Sequence, residues 1–144
     1  MTAKNAYQIA LVDAKKFSPD IFLVDLNTIA VQENGFSRTW YFSFYSPLKN
    51  TNYRINMVDG KITQTFEKNE DKKTPVVENW VDTDTIAATA IPKCGTTIES
   101  EYFFNLNNRD GNSTWSVKCV GEDNVTQYID LSAESGAYQT TRKE

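Results

Sequence analysis

Laid over itself at a shift of about 76 residues, the chain repeats a turn, a tryptophan, an alternating strand and a second glycine in the same order. A period of that length is the size of a whole supersecondary unit, so it limits the fold more than any other feature. Asn34-Gly35-Phe36-Ser37-Arg38-Thr39-Trp40 matches Asp110-Gly111-Asn112-Ser113-Thr114-Trp115 with one residue deleted. Gly60 then falls on Gly136, and Tyr53, Ile55, Met57 and Ile62 fall on Ile129, Leu131, Ala133 and Tyr138. Period-two patterning therefore recurs in both halves. Upstream, Ile21–Leu26 runs parallel to Thr97–Tyr102 as the first strand of each half.

Each half opens on a helical signal. Ala3, Tyr7, Ala10, Leu11, Ala14 and Phe17 recur at spacings of three and four, and Ser18-Pro19-Asp20 stops the helix. In the second half Asp82-Thr83-Asp84 offers capping oxygens before Thr85–Ile91, which Pro92 and Gly95 end. Strands then follow, punctuated by Asn34-Gly35, Asp59-Gly60 and Asp110-Gly111, pairs that tolerate the positive φ of hairpin turns. Between the halves lies a polar run, Glu67–Thr74, that ends at Pro75. The expected fold is α+β, two sequential units of one helix followed by an antiparallel β-meander. Residues 1–66 form the first unit, 67–79 a polar linker and 80–144 a second, diverged unit.

A helix, a strand, a turn into Trp40-Tyr41-Phe42-Ser43-Phe44, and a strand over Tyr53–Val58 leading into Asp59-Gly60-Lys61-Ile62 together resemble the PepSY domain. In the second half Trp115-Ser116-Val117 and Tyr128–Gly136 carry the resemblance. It implies a tandem PepSY-like protein, a non-catalytic inhibitor, chaperone-like or ligand-binding accessory often found outside the cytoplasm. It transfers no catalytic residue.

Histidine is absent, which removes Ser-His-Asp and Cys-His mechanisms and the commonest metal ligand. No glycine cluster forms a phosphate cradle. Setting Gly111 at the sixth position of a calcium loop puts Leu106 and Val117 where carboxylates are required, so a hairpin turn explains that segment. Neither a cofactor nor a metal is expected. Two carboxylate pairs survive as candidates for acid–base work, Glu99 with Glu101 and Asp82 with Asp84, against the plainer roles of solvated strand face and helix cap. Net charge is −4 with both signs interspersed, which disfavours nucleic acid. No apolar run approaches the roughly 18–20 residues of a membrane span.

Cys94 and Cys119 form one disulfide in an oxidising compartment, or are two buried thiols in a reducing one. The compartment stays open likewise, cytoplasmic with Met1 as the natural start and extracytoplasmic after removal of a leader. Trp40, Phe42 and Phe44 alternate with Tyr41, Ser43 and Tyr45, so the former set is expected under the helix and the latter on the opposite side of the sheet. Tyr41 and Tyr45 are therefore candidate binding residues, unless the second unit, a loop or a dimer mate covers them. Trp80 is a third candidate, or a staple between halves. The expected function is a non-catalytic binding or regulatory module for a protein or peptide, with an enzyme using paired carboxylates or a metal and a structural dimerisation unit as the alternatives.

Overall fold

Four alanines, Ala3, Ala6, Ala10 and Ala14, line the buried side of the first helix, α1 (Ala3–Phe17). Their small side chains let the helix axis approach the strands beneath, while Tyr7, Leu11 and Phe17 pack at the flanks. The second helix, α2 (Thr83–Ala90), is capped by Asp82, whose carboxylate accepts from Thr83 N, and runs into a 3₁₀ turn over Ile91–Lys93. The computed structural model describes residues 1–29, 32–95 and 102–144.

The strands are β1 (Phe22–Ile29), β2 (Thr39–Ser46), β3 (Thr51–Val58), β4 (Lys61–Asn69), β5 (Phe103–Arg109), β6 (Asn112–Val120), β7 (Thr126–Ser132) and β8 (Tyr138–Lys143). Asp59-Gly60 and Asp110-Gly111 each join two strands as a two-residue loop with positive φ at both positions, the geometry that matches strand twist. Asn34-Gly35 does not. It lies in the longer connection between Ile29 and Thr39, where Gly35 N donates to Gln32 O and Asn34 Oδ1 accepts from Phe36 N.

All eight strands join one antiparallel sheet in the order β4-β3-β2-β1-β5-β6-β7-β8. This corrects the expectation of two sequential helix-plus-meander units: the protein is mainly β, one continuous sheet carrying two helices. The seam is β1 against β5, with Leu26 opposite Leu106 and Asn27 opposite Asn105. Two separate sheets would leave both strands with unpaired backbone groups, and pairing them satisfies both. The core is shared as well. Leu26 faces Phe42 on one side and Leu106 on the other, and Leu106 faces Trp115, so the helix side of the inner strands is apolar across the seam.

Rings continue that core across the seam. Tyr7 stacks on Phe44, Trp80 meets Tyr7 edge-on at 5.5 Å and Trp115 at 6.0 Å, and Phe104 meets Trp115. The stretch expected as a linker begins inside β4, and beyond it Val76 N donates to Leu23 O and Val77 N to Ser113 Oγ. The strand expected over Thr97–Tyr102 lies outside the described residues apart from Tyr102.

Candidate binding face

Strand alternation sends every second residue away from the helices. Across β3, β2, β1, β5, β6 and β7 one row on that far side reads Asn56, Tyr41, Asn27, Asn105, Ser116, Asp130, and the next reads Arg54, Ser43, Asp25, Asn107, Thr114, Ser132. Among the described residues no helix covers this face, and its polar composition is what a solvated side of an antiparallel sheet requires. In its first half the face dips into a depression of about 730 Å³, lined by Asp25, Asn27, Tyr41, Arg54, Asn56, Phe66 and Lys68 among others.

Hydrogen bonds inside the depression are unevenly shared. Asp25 Oδ1 accepts from Asn105 Nδ2 at 2.7 Å. Burial pushes the Asp25 carboxyl above its ordinary value, and the Asn105 hydrogen bond only partly opposes that shift. Ser43 Oγ and Arg54 Nε both donate to Asn52 Oδ1. Glu70 gathers Arg54, Lys68 and Lys73 within 3.5–3.6 Å. By contrast the side chains of Asn27, Asn56 and Tyr41 have no hydrogen-bond partner among the described residues. Glu67 also borders the depression, but it pairs with Tyr53, whose Oη donates to Asp13 of α1. Its side chain thus belongs to the helix side, opposite to that of Asp25.

Across the seam the same face holds an ion-pair network. Asp130, nearly buried, accepts from Ser116 Oγ at 2.6 Å and from Arg142 Nε at 2.6 Å, with Arg109 Nη1 at 3.4 Å. Burial opposes the charge there, but the hydrogen bonds from Arg142 and Ser116 outweigh it, and with the two guanidinium charges hold the carboxyl below its ordinary value.

The residues singled out from sequence scatter. Tyr41 stands on the open face, half-buried, in the depression. Tyr45 is on the same side but fully buried: its Oη donates to Asn50 Oδ1 at 3.0 Å and the Glu70 carbonyl lies 3.3 Å away, so the chain after β4 covers it. Trp80 is on the other side of the sheet altogether, 2% exposed within the core. Cys94 and Cys119 are joined by a disulfide that ties the segment after the 3₁₀ turn to β6, beside the hydrogen bond from Gly95 N to Val120 O. Asp82 and Asp84 accept from backbone N–H groups at the start of α2. Glu99 and Glu101 lie outside the described residues. Among those described, no cluster of three or more acidic or cysteine side chains could hold a metal, and no helix is long and apolar enough to cross a membrane.

Asp25, Asn27, Arg54, Asn56 and Phe66 were not singled out from sequence. For Asp25, Asn27, Arg54 and Asn56 the signal was present, since each is the polar neighbour of a core position in an alternating strand, whereas Phe66 lies in an exposed edge strand that carries no such signal. What was missing is the cross-strand register that brings them beside Tyr41.

Neither a family model nor a curated protein matches the chain. Among solved structures it is similar to the crystal structure of a "putative lipoprotein" from Clostridium difficile 630, with a TM-score of 0.70 and 12% identity, over 96% of this chain and 92% of that one. At that identity the likeness is one of fold.

Proposed function

We propose that the protein is a non-catalytic binding module that receives a polar ligand on the helix-free face of its sheet. The observation that carries this reading is the depression at Tyr41, where three side chains able to hydrogen-bond, Tyr41, Asn27 and Asn56, have no partner among the described residues. Polar groups held on a rigid sheet without partners are pre-organised to bond something else. The non-catalytic reading is supported by how the carboxylates of this face are engaged, Asp25 by Asn105 and Glu70 by Arg54, Lys68 and Lys73. The Cys94–Cys119 bond favours an oxidising compartment.

Asp25 sharpens the test. A carboxylate whose folded pKa is raised by burial costs stability at neutral pH, and that cost fades as pH falls through the raised value and is gone below the ordinary carboxylate value of 3.8. Asp25→Asn should therefore raise the thermal midpoint by about 2–4 °C at pH 7, converging with wild type in acid. In an NMR screen of the oxidised chain against small polar fragments, hits should perturb Tyr41, Asn27 and Asn56 and weaken in Asp25→Asn. Hits confined to the helix side or the sheet edges would sink the reading.

A further inference from the structure

We propose that the depression at Tyr41 is a site for a neutral, hydroxyl-rich saccharide, an assignment that rests on the binding-module reading above and gives it a ligand class. Charge argues first. Arg54 and Lys68 border the depression beside Asp25, and Glu70 already holds both of them, with Lys73, at 3.5–3.6 Å. A phosphate, sulfate or polycation gains no net field from such a lining.

The arrangement of hydrogen-bonding groups argues next. Asn27 and Asn56 stand directly opposite Tyr41 on its two sides in the strand register, so two carboxamides flank one phenol at the roughly 5 Å separation of cross-strand neighbours. A carboxamide offers two donors and an acceptor, and a phenol offers both roles. Adjacent hydroxyls on a sugar ring need such mixed partners, because each of them donates and accepts. Phe66, 44% exposed beside Arg54 at the rim, supplies a ring for the apolar C–H face of a pyranose. A volume of about 730 Å³ accommodates a short oligosaccharide.

A peptide fits this place less well. Extended peptides gain affinity by adding to a free sheet edge through their backbone. The floor here is β1, β2 and β3, each an interior strand whose backbone ladder is already paired on both sides. Only side chains point at the ligand.

The test exposes the intact, oxidised protein to an array of neutral hexose and N-acetylhexosamine oligosaccharides, sulfated oligosaccharides and a random peptide library, followed by NMR titration of any hit. A neutral oligosaccharide should bind and shift the side-chain amide signals of Asn27 and Asn56. Asn56→Ala and Tyr41→Ala should each weaken it about tenfold, as loss of one or two good contacts does, and Tyr41→Phe should weaken it less. The thermal midpoints of these variants report that the fold is intact, and Phe66→Ala, at an exposed edge position, gives an independent loss of affinity. Absence of any neutral oligosaccharide from the hits overturns the saccharide assignment. So does a peptide or sulfated probe that alone shifts those amides, and in that case the binding-face reading survives. Hits that map only to other surfaces overturn both.

Discussion

A Cβ placed on Gly35 would sit 2.2 Å from the Thr83 carbonyl oxygen and 2.8 Å from Asp84 N, both backbone atoms at the start of α2. The residue also has a φ of +82°, as Gly111 has one of +85°, but a Cβ on Gly111 meets nothing within 4 Å. The pair separates two reasons for glycine. Gly111→Ala should cost about 1 kcal/mol for the left-handed backbone alone, and Gly35→Ala about 3 kcal/mol or more, because the loop must also withdraw from the helix. Urea unfolding of both variants decides this, and equal losses would mean that the close approach to α2 is unimportant. Both glycines belong to turn-forming pairs in the sequence, and nothing local distinguishes a two-residue hairpin from a loop pressed against a helix 48 residues downstream. Turn chemistry is a property of neighbours, while the approach to Thr83 belongs to the tertiary fold.

Among the elements, the two helices begin at one shared cap. The residue before α1, Thr2, makes no side-chain cap, and the donors of the first turn are satisfied from α2: Lys4 N donates to Asp82 Oδ1 at 3.0 Å and Ala3 N to Thr83 Oγ1 at 3.0 Å. Asp82 Oδ1 also accepts from Thr83 N at 2.8 Å. One carboxylate therefore serves two helix N-termini, where two positive dipole ends meet. A single cap is worth about 1 kcal/mol, so Asp82→Ala should cost about 2 kcal/mol and Asp82→Asn much less. Loss of no more than an ordinary cap in calorimetry would show that α1 does not depend on Asp82. The helices themselves were readable from periodicity and capping residues, and so was the burial of Trp40, Phe42 and Phe44 under α1. The sharing of Asp82 was not, because 78 residues separate it from Lys4.

For the molecule as a whole, the single sheet was the part hidden from the sequence. Alternation reports which face of a strand is buried and says nothing of which strand lies beside it. The union of β1 with β5 follows instead from unpaired edges and from a core that runs through Trp80 and Trp115, both consequences of three-dimensional packing. The open face was half legible: Tyr41 is found by alternation, whereas the burial of Tyr45 depends on where the chain turns after β4. Covalent reinforcement sits on the far side of the seam, where the disulfide closes a loop with a sequence separation of 25. Restricting that loop in the unfolded chain stabilises the fold by about 3 kcal/mol, so reduction or Cys94→Ser/Cys119→Ser should lower the thermal midpoint by roughly 6–12 °C. An unchanged midpoint under reductant would mean that the bond does not restrain the unfolded chain.

The seam also has a meaning in time. β1 ends at Ile29 and its partner β5 runs to Arg109, so during synthesis β1 leaves the ribosome some 80 residues ahead of the strand that will cover it. At about 5–20 residues per second that is an interval on the order of ten seconds. Through that interval a nascent sheet of β1 to β4 would present β1 as a bare edge, the kind of surface that recruits other nascent chains. Asp25 and Asn27 stand on the open face of that edge strand, and a charge and an amide there discourage such pairing. Asn27, proposed above as a ligand contact of the finished protein, is thus also a guard of the unfinished one.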